Sequence, residues 1–132
     1  MERVKQREGD DCGVACIAMF IQRYAGCPAS SSYDAARAVL LGSRESKLLN
    51  TKDLKRALDA FGIKSGKKRQ PFSPESNTKL ALSFDAIVGT KPRMDKSWHW
   101  MVWDSKSQLL HDPQSINPNR KKVSHHICVG KI

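Results

Sequence analysis

Cys12 stands at the mouth of a predicted helix, directly behind Asp10 and Asp11 and ahead of Gly13. The first turn of a helix presents unpaired N–H groups and the positive end of the peptide dipole, and both stabilise a thiolate. Cysteines so placed act as nucleophiles. Gly13 leaves room for backbone and an incoming substrate to come close beside the sulfur. A nucleophile needs a proton acceptor, and the acceptor needs a partner to orient it. His99, which opens the stretch HWMVW, and Asp112, in HDP after the next apolar run, are the candidates for those two roles. The chemistry such a set supports is attack of sulfur on an acyl carbon. A lone glutamine, Gln6, lies six residues ahead of the thiol.

The same residue types suit a metal, so zinc is the main rival. Cys12, Cys16, His125, His126 and Cys128 offer soft ligands. The gap between Cys12 and Cys16 falls inside the predicted helix, however, and no second cysteine pair follows. His125 and His126 are adjacent, so on a strand they point to opposite faces. No metal and no cofactor are expected. The bland uses are a core thiol for Cys12 and a turn for Asp112 before Pro113. Cys16, one turn deeper in the helix, is expected to be core.

The elements that must position these groups follow from hydrophobic spacing. Val14, Ile17, Ala18, Ile21 and Tyr24 recur at helical period from Cys12 to Ala25, with Gly26 as the stop and Asp10 or Asp11 as the cap. A second helix is predicted over Ser32 to Leu41, behind a serine cluster and before Gly42. A third runs from about Thr51 to Phe61, capped by Asn50 or Thr51 and ended by Gly62. After the basic, proline-containing loop GKKRQPFSPESN the period changes. KLALSFDAIVG alternates Leu80, Leu82 and Phe84 like a strand and then turns continuously apolar. HWMVWDS and QLLHDP read as two short strands joined around Ser105-Lys106-Ser107, and HHICVGKI as the last strand. Helices first and antiparallel strands second make an α+β arrangement.

A chain of 132 residues, 39% hydrophobic and 27% charged, has the size and composition of one globular domain with a core. No apolar run approaches the roughly 20 residues of a membrane span. The charged start Met1-Glu2-Arg3-Val4-Lys5 lacks a secretory signal's apolar stretch. Synthesis as a cytoplasmic protein is expected, and any delivery beyond it follows a route not written in the chain. Reduced thiols are the default: Cys12 and Cys16 share a helix face, and nothing demands a bridge between Cys27 and Cys128. The formal net charge is +10, gathered in KSGKKR (Lys64 to Arg69), NRKK (Asn119 to Lys122) and the helix face of Lys52, Lys55 and Arg56. Such a surface suits an acidic partner or substrate. Nucleic acid is not expected as the main partner, since no aromatics interleave the lysines.

Taken together, Q-x5-C-G-x-A-C-x-A-M from Gln6 to Met19, then HWMVW, then DP, resembles the C39 peptidase family. TKDLKRALDAFGIK is similar to that family's third helical segment, so the likeness covers nearly the entire chain. These are papain-like cysteine peptidases, usually the N-terminal domains of bacteriocin-exporting ABC transporters, which cut leader peptides after a double glycine. The resemblance implies a single papain-like α+β domain over residues 1–132. Its N-terminal half is helical, with the cysteine at a helix start packed on an antiparallel β-sheet from the C-terminal half. It implies Cys12 as nucleophile, His99 as general base, Asp112 as the orienting acid and Gln6 as a side-chain donor to an oxyanion hole, joined by the Cys12 backbone N–H. No transmembrane spans or nucleotide-binding domain follow before Ile132, so a stand-alone domain is expected. The expected function is peptide-bond hydrolysis through an acyl-enzyme, with a protein or peptide as substrate and an inhibitor or immunity protein as a further type of partner. The alternatives are a glutamine deamidase effector or toxin on the same site, and a catalytically idle basic binding module.

Overall fold

The computed structural model describes residues 1–5, 7, 11–42, 49–66, 70–71, 82–90, 99–114 and 123–130. Three helices come first: α1 (Cys12–Tyr24), α2 (Ala29–Leu40) and α3 (Thr51–Ala60). Among the described residues five strands follow: β1 (Gln70–Pro71), β2 (Ala86–Thr90), β3 (Trp100–Asp104), β4 (Leu109–His111) and β5 (Val123–Cys128). All neighbouring strands are antiparallel, in the order β1-β5-β2-β3-β4. This is the α+β arrangement expected from the sequence.

α1 is the central helix. Every residue from Cys12 to Ile21 is buried, so it has no solvent face over its first ten residues. The strand β3 packs on one side of it, and α2 and α3 pack elsewhere around it. The predicted acidic cap takes another form: Asp11 is the N-cap residue, but its side chain makes no cap hydrogen bond and instead accepts from the Tyr33 hydroxyl on α2. Asp10 lies outside the described residues. α2 begins three residues before the predicted Ser32. Its serines do not stop the helix, because Ser31 and Ser32 turn their hydroxyls back to the carbonyls of Pro28 and Ala29. α3 carries a reciprocal cap, with Asp53 N donating to Asn50 Oδ1 at 2.9 Å and Asn50 N to Asp53 Oδ2 at 3.1 Å. It ends where Gly62, at φ +73°, lets Ile63 N reach back to Leu58 O at 2.9 Å.

β2 and β3 are buried at all five positions, which explains their unbroken apolar runs. One sheet face gives Ile87, Trp100, Val102 and Ile127 to the core around α1. The other gathers Ala86, Val88, Met101, Trp103 and Leu110 with Leu82 and Phe84. The predicted strand over KLALSFDAIVG is shorter than its pattern suggested and begins only at Ala86. Ser83 and Phe84 form a bend, and Leu82 O accepts the Trp103 indole N–H at 2.9 Å. Alternation before Ala86 therefore marks a bend that packs under the sheet. Leu80 lies outside the described residues.

α1 and β3 run the same way and are fastened together at their far ends. Arg23 Nη1 donates to Asp85 Oδ2 at 2.9 Å and to Asp104 Oδ1 at 2.7 Å. The two carboxylates are 3% and 2% exposed. Asp85 also accepts from the Tyr24 hydroxyl at 2.5 Å and from the Ser105 amide and hydroxyl. Asp104 accepts from the amides of Lys106 and Ser107, which stiffens the β3–β4 turn. Burial works against ionisation of both acids, but these donors and the guanidinium outweigh it and hold both below the usual carboxylate range.

Candidate active site

The near ends of α1 and β3 carry Cys12 and His99. Leu49, just ahead of α3, sits against the neighbours of both. Its carbonyl accepts the Trp100 indole N–H at 3.0 Å. Its side chain lies so close to Gly13 that a Cβ there would come within 2.9 Å of Leu49 Cδ1 and 3.0 Å of Leu54 Cδ2. The sequence reading gave Gly13 to an approaching substrate; the structure gives it to helix packing. The backbone of His99 is held as well, its carbonyl accepting Thr90 N at 3.0 Å where the β2–β5 register shifts between Gly89 and Thr90.

The structure brings Cys12, His99 and Asp112 together from positions 12, 99 and 112, at 6%, 8% and 7% exposure. His99 Nε2 lies 2.7 Å from Asp112 Oδ1, so Nδ1 is the ring nitrogen left for the thiol. Asp112 ends the β4 edge in an Asx turn. Pro113 has no N–H to offer, and the next amide, Gln114 N, donates to the same Oδ1 at 2.8 Å. From the N-terminal segment, Arg3 Nε donates to the Asp112 main-chain carbonyl at 2.7 Å. Sequence reasoning missed this contact, because nothing in the spacing of a charged N-terminus points to a partner 109 residues away.

Burial of the His99 ring opposes its charged form. Hydrogen bonds to Asp112 and Cys12, together with their charge, overcome that and raise its pKa to about 9. A raised histidine pKa contributes stability that is fully present below the unfolded value, near 6.5, and is lost as the pH climbs through about 9. Cys16 is pushed the other way from reactivity: burial first, then the nearby Cys12 and Asp112, raise its pKa well above an ordinary thiol. It is a core group, as the sequence suggested. A buried thiol beside a basic imidazole that a carboxylate orients can carry out nucleophilic attack with proton shuttling.

Several other predicted groups separate from this constellation. Gln6 lies outside the described residues, as do Trp98, Lys67, Lys68, Arg69 and the stretch 119–122. None of the four cysteines is joined in a disulfide. Trp100 and Trp103 are core residues on opposite sheet faces. His125 and His126 lie in β5, where they pair with Gly89 and Val88 of β2. Among the described residues no group of three or more His, Cys, Asp or Glu is placed to hold a metal ion. None of their helices is long and apolar enough to cross a membrane.

No family model matches the chain, and no curated protein matches it by sequence. Its structure is similar to the crystal structure of the peptidase domain of Streptococcus ComA, a bi-functional ABC transporter involved in a quorum-sensing pathway. The TM-score is 0.66 at 16% identity, over 98% of this chain and 97% of that one. The likeness therefore shows the fold, and it is the fold that the sequence resemblance implied.

Proposed function

We propose that the chain, as a single domain over residues 1–132, is a thiol hydrolase that cleaves peptide bonds. The observation that carries this reading is the 2.7 Å contact from Asp112 to His99 Nε2 beside the thiol at the start of α1. With the thiol proton already held by His99, Cys12 Sγ attacks the scissile carbonyl carbon. The carbonyl π electrons move onto oxygen, where the Cys12 backbone N–H and the Gln6 side-chain amide receive the charge. Collapse of that intermediate breaks the C–N bond, and His99 hands its proton to the departing amine. A water, deprotonated by the same ring, then attacks the thioester; the C–S bond breaks, the acid is released, and the proton stays on His99 for the next cycle. Asp112 keeps Nδ1 directed at sulfur throughout, as the third member of a triad does. A raised His99 pKa suits this shuttle, since the ring must hold a thiol's proton until an amine takes it. The substrate is a protein or peptide, and the positive charge of the chain favours an acidic one.

Mass spectrometry of a proteome before and after treatment tests the reading. New peptide termini are expected, and glutamine-to-glutamate conversion without cleavage would replace peptidase with deamidase. No change in either would favour the idle binding module. For an active enzyme, kcat/KM is expected to fall on the alkaline side with an apparent pKa near 9, as His99 loses the proton that the amine must receive. A rate that is flat from pH 7 to 10 would remove His99 from that role.

A further inference from the structure

We propose that Arg3 is a positioning residue for Asp112, so that the N-terminal segment belongs to the working parts of the site rather than to a loose tail. This rests on the triad reading above. Hydrogen bonds and packing fix the segment. Glu2 N donates to Gln22 Oε1 at 2.7 Å, and Gln22 Nε2 donates back to Glu2 O at 3.2 Å. Met1 and Val4 pack against the core around α1. Between them Arg3 reaches across to the Asp112 carbonyl.

The geometry makes that carbonyl a sensitive place to hold. Asp112 precedes a proline, which restricts its backbone to extended conformations and leaves the following residue without an N–H. The residue is thus held by the Gln114 amide on its side chain and by Arg3 on its main chain. Two anchors on different atoms fix both the position and the rotation of the carboxylate. Loss of the Arg3 contact loosens the main-chain end of that pair. A swing of about 1 Å away from His99 Nε2 weakens the hydrogen bond that keeps the ring aimed at sulfur, and misplacements of that size cost up to about 10²-fold in rate.

The test compares Arg3→Met, which keeps an apolar stem but has no donor, with Arg3→Gln, which restores a neutral N–H. The first readout needs no substrate: NMR titration of the His99 ring, faced by Cys12 and Asp112, in each purified protein. With Arg3→Met its apparent pKa is expected to fall by about one unit as Asp112 loosens, and Arg3→Gln is expected to recover part of the shift. In an Asp112→Asn background, Arg3→Met is expected to add no further shift. For an active enzyme, Arg3→Met lowers kcat by about tenfold with KM little changed. An unchanged His99 titration in Arg3→Met, or a shift of equal size in the Asp112→Asn background, overturns the proposal. Should Arg3→Met fail to fold, an Arg3→Gln protein with wild-type stability and a partly lowered His99 pKa supports the clamp, and one with wild-type titration and kcat overturns it. A wild-type protein without hydrolase activity defeats the proposed function instead and leaves the titration to decide on Arg3.

Discussion

Cys12→Ala is expected to abolish hydrolysis while the protein stays folded. Removing the nucleophile from a triad enzyme costs on the order of 10⁶ in kcat, because the acyl-enzyme route disappears with it. The fold should tolerate the change, since sulfur is replaced by hydrogen at the first residue of α1 and alanine is the best helix former. The matching measurement in the wild type is iodoacetamide labelling at neutral pH, followed by peptide mapping. Cys12 is expected to label ahead of Cys16, which is fully buried and held neutral by that burial. Hydrolysis that survives in a properly folded Cys12→Ala protein would move the chemistry to another group. Equal labelling of Cys12 and Cys16 would deny the thiol any special reactivity.

Arg23→Ala is expected to be strongly destabilising. It strips the guanidinium shared by Asp85 and Asp104, whose side chains are almost wholly buried. Breaking a buried ion pair by removing one partner costs about 3–5 kcal/mol, a large share of the roughly 5–15 kcal/mol that a domain has. Both acids have depressed pKa values, so their contribution is present above the unfolded value near 3.9 and is lost as the pH falls through the folded one. Without Arg23 the carboxylates take up protons at higher pH, and protonation relieves the buried charge. The stability gap between wild type and variant in urea denaturation should therefore narrow as the pH is lowered towards 4. A gap under 1 kcal/mol at pH 7 would show that Tyr24, Ser105 and the turn amides hold the acids unaided. The far end of α1 lies about 16 Å along the helix from Cys12, so the catalytic constants of the folded fraction should change little.

Much of this was legible in the chain because local rules coincide with the tertiary need. Asn50 and Asp53 cap α3 as their spacing dictates, and the glycine that ends it adopts the backbone only glycine takes easily. Cys12 and His99 could be picked out because each adjoins the start of an apolar element. What could not be read were contacts between distant residues of ordinary type. Arg3 looks like any charge near a terminus, and Arg23 like the polar edge of a helix. Their partners lie 109 and 62 to 81 residues away. Gly13 misled for the opposite reason: its small size is needed under Leu49 and Leu54, which no local pattern reveals. The bend at Ser83 and Phe84 copied a strand's alternation because its apolar residues also pack beneath the sheet.

The strand order has a kinetic consequence. β5, made after the other four, is seated between β1 and β2 rather than at an edge. A chain emerging from the ribosome can form α1, α2 and α3 early, since their caps and turns are local. The β2–β3–β4 meander can zip next. β1 has no described partner strand except β5, so it waits for that strand to arrive. Closing the sheet then joins residues 70 and 126, a loop of long span whose entropy must be met before the pairing rewards it. The helix that bears Cys12 is born first, and the sheet beneath it is finished last.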